Sequence, residues 1–471
     1  MLSAGEVVEW SPMTRIENDL SQGKVLSKLV LFAIPFLISN LVQSLYNVAD
    51  MLIVGRFCGT ESMSAVNIGG QVTFILTNTV VGLCIGGTVL IGQYMGARNR
   101  VALEKVIATL ITLLVILSVL ITVVMLFARK PVLRLIRTPP ESFGESDKYL
   151  TVTLTGIIFI FGYNAFSAIL RGMGNSKQPL YFVTAACVTN VVLDLLFVAV
   201  FNWGAFGAAL ATVISQALSV FLCVGYMVKN NFQFDFKPRS FRLHGEQLGL
   251  IFKIGLPTCI QNSITSVSFA FITAIVNIVG GVTASAGVGA VGKFNSFAFM
   301  PTMAMSASIS AMSAQNFGAG RVDRAVEACR IGTVFSVCVT YSFFALVMLF
   351  PVPILKAFGD DPLMIRDGVI YIRSFAFDFL LIPFIFCING FLIGGGHTFF
   401  TLVNGALSAV LLRVPVCYFL GISLGWGLKG VGFGAPAASA GVLVIIVAYL
   451  FSGKWKHNVI RHDPLAGSGT G

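Results

Sequence analysis

Gly92-Gln93-Tyr94-Met95-Gly96-Ala97 returns further along the chain as Ala314-Gln315-Asn316-Phe317-Gly318-Ala319, an offset of 222 residues. Other pairs share that spacing. Ile34-Pro35 matches Leu256-Pro257, Pro131-Val132-Leu133-Arg134 matches Pro353-Ile354-Leu355-Lys356, and Leu170-Arg171-Gly172-Met173-Gly174 matches Leu392-Ile393-Gly394-Gly395-Gly396. After one inserted residue, Asn202-Trp203-Gly204 falls on Gly425-Trp426-Gly427. Self-similarity at a fixed spacing marks one structural unit written twice.

Composition says what kind of unit this is. The 471 residues are 56% hydrophobic and 11% charged, with a mean hydropathy of +0.88, whereas an ordinary globular domain carries about 25% charged residues. Apolar runs fall near residues 28–54, 63–91, 104–127, 149–170, 179–201, 205–228, 247–276, 284–312, 325–350, 369–393, 399–421 and 430–452. Each is long enough to cross a hydrocarbon core about 30 Å thick as a helix. The expected fold is therefore all-α, a polytopic membrane protein of about twelve transmembrane helices in two six-helix lobes. Six crossings is an even number, so the lobes are parallel and related by an axis along the membrane normal. The segments expected are an N-terminal cytoplasmic stretch 1–27, an N-lobe 28–228, a cytoplasmic linker 229–246, a C-lobe 247–452 and a C-terminal tail 453–471.

The first apolar run follows a polar stretch and is too long for a signal-peptide core, so no cleaved leader is expected. Lys and Arg collect in the even-numbered connections and at both ends, among them Arg15, Lys24, Arg98, Arg100, Arg171, Lys177, Arg239, Arg321, Arg324, Lys454 and Arg461. The third connection, with Arg129, Lys130, Arg134 and Arg137, runs against the trend. On balance the charge rule puts both termini in the cytoplasm of a cell that carries the protein in its inner (plasma) membrane. The net charge of +11 is thus mostly topogenic, and its scatter over short loops argues against a nucleic-acid partner. Nine cysteines without a CxxC pair, and four histidines without an HExxH spacing, give no disulfide, metal or enzymatic signature. The expectations are no cofactor beyond H⁺ or Na⁺ as coupling ion, small organic molecules and lipid as partners, and a monomer.

Polar residues inside the runs carry the functional signal. Gln43, Asn47 and Asp50 in the first run, and Asn190 and Asp194 in the fifth, are spaced by three or four and share helix faces. Thr212 adds a hydroxyl in an Ala-rich part of the sixth. An ionised Asp at the bilayer centre costs about 2.5 to 3.5 kcal/mol on insertion scales. Arg56 and Arg171, the basic residues near these runs, sit close enough to helix ends to reach water. The repeat acts as a control: Asp50 corresponds to Ile272 and Asp194 to Val416 or Cys417, so neither acid has a copy. Two carboxyls in one dry pocket resist being ionised together, and the pair can hold either a proton or a small hard cation. In the second half, Asp378 and Arg413 form a possible C-lobe polar site, each near enough to a helix end to reach water instead. Pro35 and Pro257 are equivalent, and Pro35 is the candidate hinge. Phe74, Tyr163, Phe166, Phe297, Met300 and Met303 can line a cavity for flat lipophilic compounds, or simply face lipid and other helices. Gly82 with Gly86, and Gly92 with Gly96, read as close helix packing.

Ile34-Pro35 followed by Asn47-Val48-Ala49-Asp50, the motif at 92–97, Leu170-Arg171-Gly172-Met173-Gly174-Asn175 and the run from Gly204 to Thr212 together resemble the multidrug and toxic compound extrusion (MATE) family. The resemblance covers about residues 25–452 and is closest to the branch named for the DNA-damage-inducible F protein. It implies the MATE fold and export of organic, often cationic compounds in exchange for H⁺ or Na⁺ by alternating access. It also implies an N-lobe ion site at Asp50, Asn190, Asp194 and Thr212. A second branch carries an acid in the seventh helix where this chain has Ser266 nearby. Asp378 falls about one turn early for that branch's tenth-helix acid. A lipid-linked precursor or oligosaccharide flippase of the wider superfamily is the alternative, but about fourteen helices and a basic cavity would be expected of it.

Overall fold

The computed structural model describes residues 17–230, 232, 234 and 237–456; Arg15 and Arg461 lie outside them. In order, the spans are α1 (Val25–Phe57), α2 (Gly59–Gly96), α3 (Arg100–Leu135), α4 (Pro140–Thr155 and Ile157–Gly172, bent by 47°), α5 (Lys177–Val200) and α6 (Gly204–Lys229). The second copy comprises α7 (245–280), α8 (282–318), α9 (Val322–Leu349), α10 (Pro362–Phe375 and Asp378–Gly394, bent by 53°), α11 (Thr398–Ser423) and α12 (Gly427–Phe451). Helical geometry runs from Gly245 to Gly318 except at Gly281 (φ 65°, ψ −149°). As one rod these 74 residues would span roughly 110 Å. Instead the chain reverses at Gly281, since both Gly255 and Gly318 pack against the C-terminal half of α2. The described residues therefore hold twelve membrane-length helices and no strand.

The repeat extends to backbone conformation. Left-handed residues recur in pairs: Gly59 and Gly281, Arg98 and Gly320, Gly174 and Gly396, Asn202 and Gly425, Gly204 and Gly427. Arg98 and Asn202 accept φ of 57° and 56° where the other copy has glycine, a conformation that costs an L-residue about 1 to 2 kcal/mol. The turns are kept at that cost because each fixes where the next helix begins.

Lipid is as apolar as leucine, so helices here associate through close packing rather than the hydrophobic effect. Small residues supply it along the seam between the lobes. A Cβ on Gly82 would lie 2.3 Å from Cys259 Sγ, one on Gly86 2.7 Å from the Ile251 carbonyl, and one on Gly96 1.9 Å from the Gln315 carbonyl. Its mate Gly318 would meet the Gln93 carbonyl at 1.8 Å. The paired glycines read from sequence as packing positions are thus the places where the two lobes touch. Among the described residues, hydrogen bonds between the lobes all lie in the half that carries the termini, the farthest out being Cys259 Sγ to the Thr79 carbonyl at 3.0 Å. The interior divides into one cluster built mainly on α2 to α6, which Ile251, Ile254 and Cys259 of α7 and Ala314 of α8 join across the seam, and one built on α7 to α12.

Candidate functional site

Three helices of the N-lobe, α1, α5 and α6, bring Asp50, Asn190, Asp194 and Thr212 together. Asp50 is buried on α1, and Asn190 and Asp194 are almost wholly buried one turn apart on α5. The Asn190 amide, oriented so that its nitrogen donates, gives Asp194 Oδ2 a 2.7 Å bond while its oxygen accepts from the Thr212 backbone N–H at 3.1 Å. One residue thereby ties α5 to α6. Asp50 and Asp194 lie within hydrogen-bonding reach of each other. Asp50 Oδ1 and Asp194 Oδ1 are buried and have no partner among the described residues. Neither acid takes part in an ion pair there. Two carboxylates this close need a proton or a cation between them, and the two orphaned oxygens are the hard donors that a proton or a small cation takes.

Two phenols complete the cluster, neither of them among the residues expected from sequence. Tyr46 places its hydroxyl 3.0 Å from Thr212 Oγ1, and Tyr149 on α4 is buried within electrostatic range of both acids. A Cβ on Gly69 would lie 2.3 Å from the Tyr149 ring, so this glycine of α2 makes the room for it. The signal for Tyr46 was present: it lies four residues before Asp50, hence on the same face. Tyr149 was hidden by the repeat, because its counterpart Tyr371 makes it look architectural. Of the two supporting residues expected on α1, Asn47 is exposed and Gln43 half-buried, and neither has a described hydrogen bond to the cluster. Tyr46, between them, is the side chain of that face that reaches α6. Immediately after Asp194, α5 widens into a π-helical stretch, Leu195–Val200, of the kind that often marks functional sites. The same widening in α11 at Leu407–Arg413 and Phe419–Ser423 shows that here it belongs to the repeat.

The C-lobe is different. Asp378 is buried and accepts a short hydrogen bond from Ser439 Oγ, while Arg413 stacks over the Phe269 ring with 5.3 Å to the centroid. They form no direct ion pair: each is held by a neighbour that sequence spacing could not identify. Pro35 is buried inside a continuous α1, with Ser39 Oγ donating to its carbonyl at 2.8 Å. Among the aromatic and Met candidates, Phe74, Phe297 and Met303 are exposed and Met300 is half-buried, whereas Tyr163 and Phe166 belong to the N-lobe core. The last two are not cavity-lining, because that face of α4 packs inward against its own lobe.

Removing the Tyr46 hydroxyl tests whether its contact with Thr212 serves transport. Tyr46→Phe is expected to reduce transport about three- to tenfold, in line with the loss of one buried hydrogen bond, with a melting temperature lower by no more than about 2 °C. Transport and thermal-melting measurements on the same preparation check this.

Known proteins share this architecture. A probable multidrug resistance protein, YpnP of Bacillus subtilis, is 29% identical over 439 residues, 93% of this chain and 97% of that one. A probable multidrug resistance protein, NorM of Thermotoga maritima, is 24% identical over 93% of this chain and 94% of its own. A solved MOP superfamily transporter from Pyrococcus furiosus superposes with a TM-score of 0.86 at 24% identity, over 93% of this chain and 98% of that one. Another, an outward-facing multidrug resistance MATE family transporter, gives 0.84 at 25% identity over 92% and 96%. One family model matches twice, at residues 35–196 and 257–419, beginning at the two equivalent prolines, and by those matches the chain belongs to the MatE family of membrane transporters.

Proposed function

We propose that this transporter is a secondary active multidrug exporter, moving organic cationic or lipophilic compounds out of the cell in exchange for H⁺ or Na⁺. The observation that carries this reading is the facing pair Asp50 and Asp194, which has no basic partner among the described residues and no copy in the second lobe. A fold that needed those acids for packing would need them twice. The names of the relatives point to drugs as substrates, and one further relative, an FAD transporter of Shewanella oneidensis at 25% identity, puts flavins on the panel to be tested.

In this reading both termini are cytoplasmic, the protein acts as a monomer, and the face where hydrogen bonds join the lobes is the cytoplasmic one. A cation arriving from outside bridges Asp50 and Asp194 and holds α1 against α5, where the two acids already meet. Pro35 lacks the N–H that would tie its turn to the one before, so α1 yields there. With α1 held against α5, substrate beside it is displaced and leaves. Binding of cation and of substrate are made mutually exclusive by the same helix.

The test is efflux of a dye panel and of flavins from proteoliposomes under pH and Na⁺ gradients imposed separately. Efflux that follows one gradient supports the reading, and efflux indifferent to both refutes it. Asp378→Asn is expected to leave the gradient dependence in place and change rates by less than about threefold, since Asp378 is held by Ser439 rather than facing a second acid. The same assay reads that outcome.

A further inference from the structure

The repeated glutamine motif forms two latches between the lobes. Gln93 Nε2 donates to the Gly394 carbonyl at 2.8 Å, and its counterpart Gln315 Nε2 donates to the Gly172 carbonyl at 3.2 Å. Donors and acceptors are both related by the 222-residue offset. The two latches are not equally complete. Gln93 Oε1 is buried with no partner among the described residues, whereas Gln315 Oε1 accepts a 2.8 Å bond from the Leu20 backbone N–H.

Leu20 belongs to a strap, residues 17–24, that precedes α1 and lies across both lobes. On the N-lobe side Glu17 pairs with Arg100 at 3.0 Å, and the Asn18 N–H donates to the Met173 carbonyl at 2.9 Å. A Cβ on Gly174 would lie 2.2 Å from the Asn18 carbonyl, so the strap is pressed against the turn after α4. On the C-lobe side Arg321 donates to the Ser21 carbonyl at 2.9 Å and Arg324 to that of Gly23 at 2.6 Å. Leu20 itself is 1% exposed, packed among residues of α8, α9 and α10. The equivalent stretch before α7 does something else: the His244 N–H donates to Thr109 Oγ1 on α3. The strap therefore breaks the internal symmetry on one side.

We propose that residues 17–24 are a lock on the termini-side gate: the strap completes the Gln315 latch and must release one lobe before that face can open. The glutamines then act as positioning residues of the gate. A chain with two bare latches would leave two buried amide oxygens unpaired in the closed state, and the strap halves that number. Its bonds are made to backbone carbonyls and to side chains at helix ends, so it can come away without unfolding either lobe. This inference rests on the alternating-access reading under Proposed function.

The experiment is a distance measurement between spin labels at Lys105→Cys and Glu327→Cys, equivalent exposed positions on α3 and α9, in the full chain in nanodiscs with Cys338 replaced by Ser. The strap is weakened from outside by the double variant Arg321→Ala with Arg324→Ala, and separately by Asn18→Ala. The expected result is a longer-distance population that rises about tenfold in the double variant, the change two lost hydrogen bonds of ordinary strength produce. It should rise less in Asn18→Ala and more when residues 17–24 are replaced by a Gly-Ser stretch. If the unmodified chain reaches the long distance with substrate or at low pH but the strap variants match it under every condition, the lock is overturned while alternating access stands. If no condition yields the long distance even without the strap, both fail together.

Discussion

Asp194→Asn is expected to abolish gradient-driven transport, by at least about tenfold and to the level of empty vesicles if coupling is strict, while the protein still folds. The substitution keeps the shape of the side chain and its contact with Asn190 but removes the ability to exchange a proton or hold a cation. The carboxylate sits in a dry site without a basic partner among the described residues, so its removal relieves a desolvation cost and should leave the melting temperature equal or higher. Asp50→Asn should behave in the same way. The double variant should be no worse than either single one, because groups that bind one ion as a unit are strongly non-additive. Efflux and thermal melting measured in parallel decide the matter: lost transport with lost stability would make the acids structural.

The second large effect is expected at the seam. Gly96→Ala puts a methyl group where a backbone oxygen already lies, 1.9 Å from the Gln315 carbonyl. A backbone atom cannot swing away as a side-chain tip would, so the closed face cannot re-form without displacing a helix. Gly318→Ala should have the same consequence through Gln93. Transport should stop, and the labels on α3 and α9 should report the long distance as the main population. Gly70→Ala, on the same helix α2 but with nothing within 4 Å of the added methyl group, should transport normally. If Gly96→Ala transports as well as Gly70→Ala, the seam is not the gate.

Much of this was legible in the residues. The 222-residue spacing carried the parallel lobes, and the positive φ at Gly174 and Gly396 shows how literally the chain repeats itself. The facing of Asn190 and Asp194 followed from their spacing of four. The bends in α4 and α10 were not readable, because apolar runs report only the length of helix in hydrocarbon. Residues 140–148, polar and outside that core, are as helical as the apolar residues that continue α4. Tyr46 and Tyr149 were not legible because periodicity assigns faces and not neighbours, and a phenol carries no charge to mark it. Asp378 and Arg413 were expected as a possible pair from proximity along the membrane, yet Ser439 and Phe269 hold them separately. The strap looked like an ordinary polar leader to α1, since nothing in residues 17–24 reveals that they have partners lying from 83 to 301 residues away.

The most direct test of the carboxylate pair as the coupling site is cation release on substrate binding. Purified protein in weakly buffered detergent is mixed with a transported compound while proton release, or displacement of bound ²²Na⁺, is recorded. The unmodified protein should release cation in fixed proportion to substrate bound, and Asp50→Asn and Asp194→Asn should bind substrate without release. Release that is undiminished in both variants, or substrate binding by the unmodified protein with no release of either cation, would contradict it.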